Sequence, residues 1–96
     1  LTVTIKTTKW DGADFLDTPE AIASYLEAAF EDGDAKVIAH ALGNVARAKG
    51  ISQIAKDAGV TRAGLYKALS ADGDPRLTTF LGVLKSLGLT VSVHPA

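Results

Sequence analysis

The stretch Ile51-Ser52-Gln53-Ile54-Ala55-Lys56-Asp57-Ala58-Gly59-Val60-Thr61-Arg62-Ala63-Gly64-Leu65-Tyr66-Lys67-Ala68-Leu69-Ser70 decides the fold. Its spacing reads as two short helices around a tight turn, a helix-turn-helix. Two helices that cross steeply need a small side chain where they approach, which Ala55 supplies, and a turn that Gly59 permits through a positive φ. Ile54, Ala58, Val60, Leu65 and Leu69 then point inward as the shared core. Ser52 is placed to cap the first helix and Thr61 the second. These demands leave Thr61, Arg62, Ala63, Tyr66, Lys67 and Ser70 on the outside of the second helix or at its ends.

That inventory suits the major groove of DNA. Arg62 reaches paired guanine acceptors or a phosphate, and Thr61 and Ser70 are short donors for phosphates or nearby base edges. Tyr66 offers its hydroxyl to the backbone or its ring to a thymine methyl, and Lys67 serves either role. Ala63 and Gly64 keep the leading surface low, although Gly64 weakens the isolated helix by up to about 1 kcal/mol relative to alanine. Arg47, Lys49, Ser52 and Lys56 flank this surface as candidate phosphate contacts, each equally readable as a solvated surface residue.

Upstream, Ala35 to about Lys49 predicts a helix capped by Asp34 and stopped by Gly50, with Val37, Ile38, Ala41, Leu42 and Val45 facing the core. His40 borders that face and reads as a neutral, hydrogen-bonded structural imidazole. Thr18-Pro19 is a helix start, and Ile22, Leu26, Ala29 and Phe30 recur on one face of a helix reaching about Glu31. At the beginning, Leu1, Val3 and Ile5 alternate with Thr2, Thr4 and Lys6 as a strand, and Trp10 reads as a packing anchor.

Downstream, Asp72-Gly73-Asp74-Pro75 reads as a turn in which Asp74 caps a last helix. Leu77, Phe80, Leu81, Leu84 and Leu87 form its apolar stripe, and Gly88 stops it. Leu89, Val91 and Val93 alternate as a second strand candidate. The fold class is therefore an all-α core of about five helices with a short strand at each end, packed around Leu42, Val45, Ile54, Leu65, Leu69, Leu77, Phe80 and Leu84. The divisions are an N-terminal strand and acidic helical extension over 1–34, the helix-turn-helix domain over 35–88 and a C-terminal strand over 89–96.

Bulk properties agree with a single small domain. The 96 residues allow one modest core, and 47% hydrophobic with 22% charged residues is ordinary for a globular chain. No cysteine is present, which removes disulfides, thiolate catalysis and thiolate metal sites. With two histidines, no glycine-rich phosphate loop and no acid pair tied to a base, neither an enzyme, a metal nor a cofactor is expected. No apolar run has the length of a spanning helix, and residues 1–10 lack a secretory apolar stretch, so a cytoplasmic protein without a membrane partner is expected.

The net charge of −1 hides an asymmetry. Residues 1–34 hold two lysines against eight acids, a net −6, and residues 35–96 hold eight bases against three acids, a net +5. Two ends of opposite sign suit two different partners, while a merely solvated outer helix explains the acids equally well.

The chain resembles the antidote proteins of bacterial addiction modules, in the HigA-like subgroup with a lambda-repressor-like helix-turn-helix domain. The resemblance rests on Thr8-Lys9-Trp10-Asp11, Phe15-Leu16, Ala21-Ile22, Tyr25-Leu26-Glu27-Ala28-Ala29, Asp32-Gly33-Asp34, Ala41-Leu42-Gly43, Ser52-Gln53-Ile54-Ala55, Gly59-Val60-Thr61, Gly64-Leu65-Tyr66-Lys67-Ala68-Leu69-Ser70 and Leu87-Gly88-Leu89. It implies that Thr61, Arg62, Ala63, Tyr66, Lys67 and Ser70 face an operator, that a homodimer represses its own operon, and that a small basic toxin resembling the RelE and HigB ribonucleases is neutralised by direct binding. The chain departs from many antidotes in having no obvious long, charged tail. The acidic region, with Asp11, Asp14, Asp17, Glu20, Glu27 and Glu31, is the candidate toxin-facing surface, since an RNA-holding toxin carries positive charge. A DNA-binding regulator without a toxin and a protein-interaction module remain as alternatives.

Overall fold

The computed structural model describes residues 17–70 and 72–96, and among these the regular elements are five helices. They are α1 (Pro19–Asp32), α2 (Ala35–Lys49), α3 (Ile51–Ala58), α4 (Arg62–Ala68) and α5 (Leu77–Ser86). The strand expected over Leu1 to Ile5, and Trp10, lie outside the described residues.

Local chemistry sets most of the boundaries. The Thr18 hydroxyl accepts the Ala21 N–H at 3.1 Å, and Pro19 fills the first turn of α1, where its missing donor costs nothing. Gly33 ends α1 in the left-handed region, and Asp34 starts α2 by accepting the Lys36 N–H at 2.8 Å. Thr61 starts α4 in the same manner, accepting from the Gly64 N–H at 2.9 Å.

Two expected caps are corrected. α3 already begins at Ile51, with Gly50 in the cap position and no side-chain bond, so Ser52 sits exposed inside the first turn. α5 begins at Leu77, with Arg76 in the cap position and again no side-chain bond, so Asp74 and Pro75 belong to the preceding loop. The cap position thus falls two residues before the polar signal in α3 and two residues after it in α5.

One core joins all five helices. Ile22 and Leu26 of α1, Leu42, Val45 and Ala46 of α2, Ile51, Ile54 and Ala55 of α3, Leu65 of α4 and Val83 and Leu84 of α5 are buried together, with Leu69 and Leu87 just past the last two helices. α1 packs on α2, and α3 lies against both α4 and α5. At Gly43 the fold needs an absent side chain, because a Cβ there would stand 2.6 Å from the Leu69 carbonyl oxygen. α2 and the residue that ends α4 thus meet backbone to backbone, with no room for a methyl group.

α5 is rotated from the orientation that its leucines predict. Thr79, Val83, Leu84 and Leu87 are buried and Phe80 is half-buried, whereas Leu77 is 70% and Leu81 47% exposed. The cause is the crossing with α3: a Cβ on Gly82 would lie 3.0 Å from the Ala58 Cα, so the side of α5 bearing Gly82 and Val83 is drawn inward. Val37 of α2 is also exposed, at 40%, and His40 stands in solvent rather than as a structural imidazole.

The C-terminal strand expected over 89–96 does not form. Leu89 donates its N–H to the Leu84 carbonyl at 2.9 Å and packs half-buried on the core, and the following residues are exposed without regular structure. Alternation describes a strand only where a partner completes its ladder. The described residues offer helices alone, and Val93 is left 91% exposed.

Candidate nucleic-acid interface

The surface is built on the turn between α3 and α4. Gly59 adopts φ 76°, which a side chain would strain, and donates its N–H to the carbonyls of Ala55 and Lys56. Val60 follows with a 3.0 Å bond to the Ala55 carbonyl and tucks half-buried against the core. Three residues therefore suffice to turn the chain from α3 into α4 with the Ala55 and Lys56 carbonyls satisfied.

α4 presents two faces. Leu65 and Leu69 are fully withdrawn from solvent, at 0% and 1%, and Ala68 is half-buried. Arg62, Ala63, Gly64, Tyr66 and Lys67 are exposed, and the 100° step of a helix places Ala63 and Lys67 opposite Leu65, with Arg62 and Tyr66 along the flank between the two faces. Thr61 is exposed at the start of the helix. Its oxygen serves the cap, which leaves its O–H free to donate outward. Ser70 differs from the expectation: its hydroxyl donates to the Lys67 carbonyl at 2.7 Å, so it faces a partner only as an acceptor.

Of the flanking residues, Lys49, Ser52 and Lys56 are exposed, and Ser52 and Lys56 share one face of α3. Arg47 is exposed as well, but it does not point freely into solvent. Its Nη2 donates to Asn44 Oδ1, and its guanidinium carbon lies 5.7 Å from the centroid of the Tyr66 ring. Asn44 Nδ2 in turn donates to the Tyr25 hydroxyl at 2.9 Å. Sequence reading missed Asn44 and Tyr25. A signal was present, since asparagine inside a helix is disfavoured and asks for a side-chain partner.

A second polar cluster ties α3 to α5. Asp57 accepts from Ser86 Oγ at 2.8 Å and from Gln53 Nε2 at 2.9 Å. The Ser86 bond, then the Gln53 bond, with a smaller contribution from the Lys56 charge, hold the Asp57 carboxyl below its ordinary value of 3.8. Asp57 is thereby committed to joining α3 to α5.

On the far element, Glu20, Glu27 and Glu31 are exposed, and Ser24 lies between them. Their spacing of seven and four residues sets all of them along one line of α1, opposite Ile22 and Ala29. Asp17 is exposed just before the helix, whereas Asp11 and Asp14 lie outside the described residues. No described helix is long and apolar enough to cross a membrane.

Residues 6–95 match the family described as "Probable addiction module antidote protein". The chain belongs to this family of antidotes. A protein of Haemophilus influenzae, carrying no functional description, is 44% identical over 85 residues, which span 88% of each chain. No solved structure matches the sequence. The match takes in every described helix of the antidote, so the acidic line of α1 and the exposed face of α4 both belong to the family's unit.

Proposed function

We propose that this antidote is a sequence-specific DNA-binding repressor of its own operon that also neutralises a small basic toxin by direct contact, with no catalytic activity of its own. The observation that carries the DNA half is the division of α4. Two fully buried leucines hold a short helix whose exposed residues are Arg62, Ala63, Tyr66 and Lys67, low at its start and carrying two cations. In this reading α3, the turn and α4 form a helix-turn-helix of the lambda-repressor-like kind, α4 lies in the major groove, and Thr61 and Ser52 meet phosphates.

The toxin half is supported by family membership and by the acidic line of α1, which lies on a different element from the basic reading face. A ribonuclease resembling RelE or HigB must hold RNA and so offers the complementary charge. Two copies of the antidote would place two reading helices on one face of a palindrome, about 34 Å apart. The exposed Leu77 and Leu81 of α5 are the candidate self-contact, in place of the expected terminal strand.

The test is a mobility-shift titration with duplex DNA from upstream of the gene, compared with a scrambled duplex. Preferential binding to the upstream duplex supports the reading, and equal or no binding overturns it in favour of a protein-interaction module. Co-purification with the product of the adjoining reading frame separates the antidote-repressor from a regulator that acts without a toxin.

A further inference from the structure

We infer that Arg47 is a positioning residue for Tyr66, and that it sets sequence discrimination rather than serving as a phosphate contact. This rests on the DNA-reading role of α4. The four residues form one continuous series across three helices: the Tyr25 hydroxyl on α1, Asn44 and Arg47 on α2, and the Tyr66 ring on α4. Each link removes a freedom from the next. Tyr25 is half-buried against the core and receives an Asn44 amide hydrogen, which fixes which end of the amide faces Arg47. The Asn44 oxygen then takes one arm of the guanidinium.

The floor beneath this guanidinium is Gly43, buried in α2. A Cβ there would lie 3.1 Å from Arg47 Nη1, so the missing side chain leaves the space over which the arginine folds back. The cation comes to rest 5.7 Å from the Tyr66 ring centroid, within the range where a guanidinium is attracted to an aromatic face. Tyr66 is 54% exposed and would otherwise be free to turn about its first side-chain torsion. A ring that reads a base edge or a thymine methyl has to be held before the DNA arrives, since immobilising it on binding costs affinity.

Lysine cannot replace arginine here. It keeps the charge but lacks the planar fork that bonds Asn44 while lying over the ring. The experiment compares the full-length protein with Arg47→Lys, Arg47→Gln and Tyr25→Phe, titrated with salt against the upstream and scrambled duplexes. Positioning predicts that Arg47→Lys and Tyr25→Phe each lower the ratio of upstream to scrambled affinity about two- to fivefold, the size of an exposed cation–π contact. The salt slope should stay unchanged in both. A phosphate contact predicts the opposite: Arg47→Gln weakens both duplexes equally and lowers the salt slope by about one, while Arg47→Lys and Tyr25→Phe leave binding as it was. That outcome overturns the inference.

A second readout is independent of DNA. In the free protein, the Tyr66 ring resonances should shift in both Arg47→Lys and Tyr25→Phe. If the unaltered protein prefers neither duplex, the DNA reading fails on its own, and these spectra decide the geometry: unmoved Tyr66 resonances in both variants overturn the positioning role as well.

Discussion

Thr61 uses one oxygen for two purposes, and its neighbour Gly64 is the residue that allows it. The hydroxyl oxygen accepts the Gly64 N–H at 2.9 Å, and a Cβ on Gly64 would stand 2.8 Å from that same oxygen. An alanine at 64 gains up to about 1 kcal/mol of helix propensity but must displace its own cap, which is worth about 1 kcal/mol. Gly64→Ala should therefore leave the urea midpoint nearly unchanged, whereas Thr61→Ala should cost about 1 kcal/mol of stability. A clear gain in the midpoint for Gly64→Ala would show that the hydroxyl rotates away freely. Arg62 and Lys67 carry none of this load, as both are exposed on α4. Arg62→Ala should reduce discrimination at one base pair by about 1 to 3 kcal/mol if its contact is a bidentate guanine pair. Lys67→Ala, if that side chain meets a phosphate, should weaken all duplexes alike and lower the salt slope by about one. Circular dichroism on each variant checks that the helices persist. A double variant that binds both duplexes as tightly as the parent would remove α4 as the reading head.

Helix ends and helix faces were legible in the sequence to different degrees. Thr18, Asp34 and Thr61 were readable because each places a short side-chain acceptor just ahead of a regular apolar spacing, and all three accept the predicted kind of backbone bond. Ser52 and Asp74 have the same chemistry but sit where packing sets the corner, so the local signal lost. α5 has apolar residues around more than one face, and no count of leucines could reveal that Gly82 meets Ala58 and turns Leu77 outward. The exposed set on α4 was readable because burying Leu65 and Leu69 fixes the rest by geometry. The Tyr25, Asn44 and Arg47 series was not, because it joins residues 19 apart in sequence on separate helices. The Asp57 cluster, also between helices, yields a pH test. Hydrogen bonds from Ser86 and Gln53 lower its carboxyl below 3.8, so the folded state is favoured above the unfolded value and loses that preference as pH falls through the depressed one. Asp57→Asn should thus be less stable than the parent near neutral pH. The gap in urea midpoint should narrow as pH drops below about 4. A gap that stays constant across this window would mean that the carboxylate charge contributes nothing to the contact.

At the scale of the whole molecule, the charge asymmetry of the sequence becomes two surfaces on different helices, the acidic line of α1 and the basic face around α4. The third surface is apolar. Leu77 and Leu81 stand one helical turn apart on α5, both well exposed. Leu77 also borders a groove of about 320 Å³ shared with Phe30, Ile38, Leu42 and Phe80. A second copy of the chain is the occupant that the proposed function requires, because a single α4 reads too few base pairs to select an operator, and two-fold symmetry lets one apolar face meet its own copy. Leu81→Lys tests this with little risk to the fold, since Leu81 lies outside the buried core. Light scattering at micromolar concentration should show a dimer for the parent and a monomer for the variant, with helix content by circular dichroism unchanged. Affinity for the full upstream duplex should fall steeply, because two linked contacts become two separate ones, while affinity for a half-site duplex should stay as it was. A variant that remains dimeric places the self-contact elsewhere on the surface. A parent that is monomeric both alone and on the duplex would remove the palindrome from the proposed function and leave α4 reading a single site.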